Sequence, residues 1–170
     1  MWKYTGIQRP PFATEPQEGQ ESVWDYPRPP ALVKDSRLIE VKHGDVLIAT
    51  TTNAYRVLET ASPPTVYIPP QDVHMDRLIE MRGSSFCEWK GAASYWGLSD
   101  HPEEGAIGWS YKNPSRSFST IKDYMSFYPG RLACYINQER VRPQPGGFYG
   151  GWVTNEIVGP YKGEAGTGGW

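Results

Sequence analysis

The sequence predicts an all-β domain of eight or more short strands with an arm at each end, and three observations lead there. Short apolar, β-branched and aromatic runs recur through the middle of the chain, each closed by glycine, proline or asparagine turn signals. Proline and glycine interrupt the pattern so often that at most one or two short helical turns fit between them. Aromatic residues at 14% and charged residues at 21% of 170 positions place the chain outside the composition of disordered polymers.

Residues 1–37 form an arm, 38–142 the β domain and 143–170 a strap. The arm carries Pro10, Pro11, Pro16, Pro27, Pro29 and Pro30, which exclude a helix or a central strand there. Its Trp24-Asp25-Tyr26-Pro27 segment is aromatic enough to pack in an extended form over an edge strand. Arg37 to Val41 and Asp45 to Thr50 flank His43-Gly44 and make the first hairpin. Tyr55 to Thr60 alternates apolar and polar side chains as a third strand, with Arg56 and Glu59 available for a pocket or for ordinary ion pairs.

Val66 to Ile68 resumes the strand pattern after Pro63-Pro64, and Pro70 to Val73 suits one helical turn, with proline at its first position and Asp72 near its positive end. Val73, Met75, Leu78 and Ile79 are then expected to feed the core. The focal stretch is Ser84 to Trp96, two strands around Glu88 to Gly91, where glycine supplies the positive φ of a tight reversal. If Cys87 faces Ala92, parity puts Ser85, Cys87, Ala92, Ser94 and Trp96 on one face and Phe86, Ala93 and Tyr95 on the other.

Gly97 to Gly105 reads as a polar loop and Ala106 to Tyr111 as a strand with Trp109 and Tyr111 on one face. Ser117 to Asp123 can hold a helical turn capped by Ser117 or Ser119, before the strand Tyr124 to Tyr128. Leu132 to Ile136 and Glu139 to Arg142 close the sheet as a hairpin about Asn137-Gln138. Beyond Pro143 lie nine of the 18 glycines. Phe148, Tyr149, Trp152, Tyr161 and Trp170 indicate that this segment docks, on the domain itself or on a second copy as a homodimer contact.

Composition narrows the function. A formal charge of −2 offers no basic excess for a phosphate backbone, so nucleic acid is not an expected partner. No run approaches the roughly 18 apolar residues of a membrane span, and the first residues lack the apolar core of a signal peptide, so the expectation is a soluble cytoplasmic protein without a membrane partner. Cys87 and Cys134 are the two cysteines, in no paired motif, and His43, His74 and His101 fall in three separate segments. Neither a metal nor any other cofactor is expected.

The strings Tyr67-Ile68-Pro69-Pro70, Asp72, Cys87-Glu88-Trp89-Lys90-Gly91-x-Ala93-x-Tyr95-Trp96, Trp109-Ser110-Tyr111 and Phe127-Tyr128-Pro129 resemble the bacterial and fungal family called domain of unknown function 427, also labelled a nucleotidyltransferase domain. The resemblance covers roughly residues 22–142. It implies a β-tent-like arrangement, two antiparallel sheets meeting at an angle, similar in shape to methionine sulfoxide reductase B and the ligand-binding domain of cereblon. Those relatives hold zinc through Cys-x-x-Cys turns that this chain lacks, so the metal does not carry over. The family's proline after the cysteine is Glu88 here, which puts a carboxylate beside any pocket Cys87 lines. The chain has neither a glycine-rich phosphate loop nor paired aspartates for magnesium, so the transferase label comes without a mechanism.

Three readings follow. In the first, Tyr67, Trp89, Tyr95, Trp96 and Trp109, with Arg56 and Glu59 nearby, wall a pocket for a planar or cationic small molecule of unknown identity, and Lys90 fixes an anionic group. In the second, Cys87 is a nucleophile, with Lys90 favouring the thiolate over the roughly 8.5 pKa of a free thiol, and Cys134 is the sole partner for disulfide chemistry. In the third, the chain is a structural or interaction domain without chemistry. All hinge on Cys87, Lys90 and Trp96 opening onto one hollow.

Overall fold

Strand-forming runs between glycine and proline breaks dictate the architecture. In the computed structural model, which describes residues 3–170, fifteen strands carry the fold, and helical structure among the described residues is confined to five short 3₁₀ segments. The strands divide into two four-stranded sheets, one three-stranded sheet and two pairs. Every pairing is antiparallel except one, the two-residue pair that joins the terminal segments.

The N-terminal segment contributes β1 (Glu21–Ser22) and β2 (Ala31–Asp35). Ala31–Asp35, read above as part of the arm, is thus a strand: it lies beyond the last proline and pairs along its whole length with β5 (Ala54–Leu58), at the edge of a sheet completed by β6 (Thr65–Tyr67). The first hairpin stands where the sequence puts it, as β3 (Ile39–His43) and β4 (Val46–Thr51). A 3₁₀ segment at Pro70–Asp72 occupies the site of the expected helical turn.

The focal hairpin is longer than its motif, with β7 (Leu78–Cys87) and β8 (Gly91–Leu98) followed by β9 (Gly108–Ser110) and β10 (Ser126–Phe127) in one sheet ordered β10-β9-β8-β7. Strand alternation explains one correction here: Leu78 points inward, so Ile79, expected in the core, is 47% exposed. The segment Arg116–Ile121 is 3₁₀, with Ser115 and not Ser117 or Ser119 at its N-cap position; Ser115 makes no side-chain cap bond there, since its Oγ donates to the Trp89 carbonyl at 2.6 Å. The last expected hairpin forms as β11 (Ala133–Ile136) and β12 (Glu139–Arg140), with both turn residues, Asn137 and Gln138, at positive φ as a two-residue turn requires. β11 pairs with β3, so this hairpin and the first share a sheet.

Three apolar clusters hold these sheets. The main core takes Ile39, Val41 and Ile48 from one four-stranded sheet, Cys134 and Ile136 from its neighbouring strand, and Phe127 from the other sheet. A second gathers Val57, Tyr67, Ala93, Trp109 and Tyr111 beneath the focal hairpin. The third packs Val23, Trp24 and Tyr26 against Leu58, Ala61 and Ile157, tying the two ends of the chain together.

The C-terminal strap docks on its own domain. β14 (Trp152–Val153) pairs with β13 (Arg142–Pro143), and β15 (Ile157–Val158) runs parallel to β1. Trp152 is 1% exposed within the main core, and its indole N–H donates to the Phe127 carbonyl at 3.0 Å. Trp24 is fully buried, donates to the Pro160 carbonyl at 3.1 Å and meets Trp170 edge-on at 4.9 Å. No helix among the described residues is long and apolar enough to cross a membrane.

Because Trp152 fills main-core volume, Trp152→Ala should lower the unfolding free energy by about 3–5 kcal/mol in urea titration. A loss below about 1 kcal/mol, within the range of surface substitutions or little above it, would mean that the strap is an appendage rather than part of the core.

Candidate functional site

The site begins with a register. Cys87 pairs with Gly91, Phe86 with Ala92, Ser85 with Ala93 and Ser84 with Ser94. The loop is therefore Glu88, Trp89 and Lys90, one residue shorter than the reading that set Cys87 opposite Ala92. Gly91, at φ +108°, begins the return strand, and a Cβ there would come within 3.3 Å of the Asn113 carbonyl oxygen. Since side chains alternate, one residue of slip exchanges the faces of β8. Ala93 and Tyr95 share a face with Ser85 and Cys87, while Trp96 lies on the other.

Trp96 accordingly does not line the hollow beside Cys87. It packs against the main core, its indole N–H donates to Ser110 Oγ at 2.9 Å, and the Lys112 ammonium lies 5.9 Å from its ring. Arg56 also points elsewhere. It alternates with Val57, which lines the hollow, and its guanidinium is committed to Glu21 at 2.9 Å. The single hollow shared by positions 87, 90 and 96 is thus replaced by one that excludes the indole.

That hollow is a cleft of about 790 Å³. Its floor is a row of rings. Tyr111 and Tyr67 have centroids 6.2 Å apart; Tyr67 meets Trp109 edge-on at 6.2 Å and accepts its indole N–H at 3.2 Å; Trp109 and Tyr128 lie 4.8 Å apart. One wall is β7 and the loop after it, with Cys87, Trp89 and Lys90, and Tyr95 stands beside them with its hydroxyl 2.6 Å from Ser85 Oγ. Glu59, beyond the end of β5, also reaches the cleft, although its carboxylate is paired with Arg28 at 3.1 Å.

The opposite wall comes from the strap, at Gly147 to Gly150 and Lys162. Gln144 fixes it. That side chain is 3% exposed, donates to the Lys162 carbonyl at 2.7 Å and accepts the Gly151 N–H at 3.1 Å. The strap then passes so close to the floor that a Cβ on Gly150 would fall 2.5 Å from Trp109 Cζ3. Only glycine fits this crossing.

Lys90 is the unusual group. A lysine is rarely buried unless paired, yet Lys90 is 8% exposed, and among the described residues no carboxylate lies within ion-pair distance of it. The loop is pinned from outside, since the Ser115 N–H donates to the Lys90 carbonyl at 2.9 Å, and the ammonium lies 5.9 Å from the Tyr111 ring centroid. Burial disfavours the ammonium, but Tyr67, then Cys87, then the Glu59 carboxylate outweigh it and hold the pKa above its ordinary value. Lys90 stays charged at neutral pH. Burial followed by the neighbouring Tyr67 and Cys87 pushes the Tyr111 hydroxyl in the same direction.

Charge in the cleft runs against that of the chain. The protein as a whole carries −2, but the cleft is lined by Arg82, Lys90, Arg131 and Lys162 against Glu59 and Glu88, and Glu59 is already neutralised by Arg28. Cys87 is half-buried and its sulfur interacts with the Lys90 ammonium. Cys134 is not available to it: it is sealed in the main core, and burial drives its thiol pKa strongly up. Among the described residues no group of three or more His, Cys, Asp or Glu side chains could hold a metal ion.

Sequence reasoning missed Tyr111, Tyr128, Arg131 and the strap wall as lining groups. Two of these lie within strings already conspicuous in the sequence, Trp109-Ser110-Tyr111 and Phe127-Tyr128-Pro129. Arg131 and Lys162 carry no local signal. Residues 31–139 match the model of the family described as domain of unknown function (DUF427), whose short label names an NTP transferase. No curated protein matches the chain.

The Lys90 shift has a consequence for stability. Because its folded pKa is raised, its contribution is fully present below the unfolded value of 10.5 and is lost as pH rises through the higher folded value. The stability difference between wild type and Lys90→Met, read by urea unfolding, should shrink across that alkaline window while staying constant from pH 6 to 9. A difference independent of pH throughout would show that Lys90 contributes packing and no charge.

Proposed function

The chain belongs to the DUF427 family, whose model covers residues 31–139, and we propose that it binds a small planar molecule with an anionic group in the cleft beneath the focal hairpin. The observation that carries this reading is Lys90, a buried ammonium without a carboxylate partner that opens onto a floor of four rings. Its neighbours already hold it charged, and with no carboxylate in contact its ammonium donors are available to a ligand anion. The half-buried rings of Trp89, Tyr95 and Tyr128 in its lining add stacking surface at little entropic cost. A volume of about 790 Å³ lies in the range of small-molecule sites.

Nucleotides, which the family label names, satisfy both requirements and are one member of this ligand class. Nucleotidyl transfer would use the same groups, with a base on the rings and a phosphate at Lys90. A cytoplasmic setting goes with the reading, because both cysteines are free thiols.

A second reading is favoured by the contact between Lys90 and Cys87. An ammonium beside a half-buried sulfur in a cleft is the setting of a reactive thiol, so Cys87 would act on an electrophilic anionic ligand held by Lys90. Cys134 has no part in this.

Thermal-shift screening of aromatic carboxylates, nucleotides, nucleosides and heterocyclic amides should find stabilisers among the anionic aromatics whose effect disappears in Lys90→Gln. Stabilisation that survives Lys90→Gln would sink the role given to Lys90. For the thiol reading, anionic iodoacetate should gain on neutral iodoacetamide in alkylating Cys87 by about tenfold relative to the same ratio in Lys90→Gln, the worth of one charge-assisted contact. Equal ratios in the two proteins would rule that reading out.

A further inference from the structure

The row of rings has a cation at each of its two ends. Lys90 lies 5.9 Å from the Tyr111 centroid. At the other end the Arg131 guanidinium lies 4.3 Å from the centroid of Tyr128, the ring next to Trp109. Arg131 also donates through one terminal nitrogen to the carbonyl of Ala106, itself a lining residue. No other hydrogen bond and no ion pair engages this guanidinium among the described residues. One hydrogen bond and one ring face therefore orient it, and its remaining N–H donors are left free. A guanidinium so oriented is suited to receive a planar anion, because its donors form a rigid fork.

We propose that the cleft takes a ligand with an anionic group at each end, one held by Lys90 and the other by Arg131, and an aromatic or conjugated middle that crosses the cleft above the buried row, against the half-buried rings of Trp89, Tyr95 and Tyr128. The inference rests on the binding function proposed above and narrows its ligand class. The charge balance favours it: four basic side chains line the cleft, and one unpaired carboxylate, Glu88, opposes them. A single anion at Lys90 would leave the Arg131 end unmatched.

Isothermal titration with biphenyl-4-carboxylate and biphenyl-4,4′-dicarboxylate, extended to the shorter naphthalene-2,6-dicarboxylate and the longer p-terphenyl-4,4″-dicarboxylate for length, tests the assignment. The dicarboxylate of best length should bind about tenfold more tightly than its monocarboxylate, the gain expected of one further charge-assisted contact. Arg131→Gln should erase that gain, lowering dicarboxylate affinity about tenfold more than monocarboxylate affinity. Lys90→Gln should weaken both. Arg131 is exposed, and circular dichroism checks that its variant folds. If monocarboxylates bind through Lys90 but no dicarboxylate gains, or the gain survives Arg131→Gln, the two-ended ligand is overturned while the anion site stands. If no aromatic anion binds at all, the function proposed above falls with it.

Discussion

A charged nitrogen enclosed by rings, without a carboxylate against it, is the constraint on which the rest of the site depends. Lys90 reaches this position because its loop is clamped from outside by Ser115, whose N–H takes the Lys90 carbonyl and whose hydroxyl takes that of Trp89. With the backbone fixed on the outer side, the side chain runs inward. The cost of keeping the ammonium there is more than offset by its neighbours Tyr67, Cys87 and the Glu59 carboxylate, which hold its pKa above the ordinary value. Among the described residues no carboxylate lies within ion-pair distance of it, and that is the place a ligand anion would take.

The cleft exists because distant pieces of chain meet over this loop. Its floor belongs to the second apolar cluster, so the rings beneath the cleft also hold β6 and β9 together. Its far wall belongs to the strap, anchored in the main core by Trp152 and turned by Gln144. Packing and binding surface are the same side chains here. A substitution at Trp109 or Tyr67 therefore changes the fold and the site at once, whereas Arg131, which is exposed, can be altered with far less effect on packing.

Much of this was legible in the sequence. The all-β class, the hairpins about Gly44 and Asn137-Gln138, and the single turn after Pro69 follow from local turn chemistry, which acts within a few residues. The gathering of Tyr67, Cys87, Trp89, Lys90, Tyr95 and Trp109 was visible as a pattern of ring, thiol and amine. What failed was parity. A loop of Glu88 to Lys90 instead of Glu88 to Gly91 differs by one residue, and that one residue moved Trp96 to the far face and brought Ala93 and Tyr95 to the near one. Loop length is decided by the contacts of Trp89, Lys90 and Gly91 with the 113–115 segment, more than twenty residues away, and no local rule contains it. The partners of Arg56 and Glu59 were hidden for the same reason. Glu21 and Arg28 come from the N-terminal segment, brought alongside by the pairing of β2 with β5.

The claim that tests the whole account most directly is that the Lys90 ammonium is open to an anion from the cleft. In protein labelled with ¹⁵N at the lysine side chains, the Nζ resonance assigned by its loss in Lys90→Gln should stand apart from those of the solvated lysines. It should shift in saturable fashion as 2-naphthoate is added, with Lys34 and Lys122 unmoved. A Lys90 resonance that does not respond, or that moves no more than the surface lysines, would contradict the account.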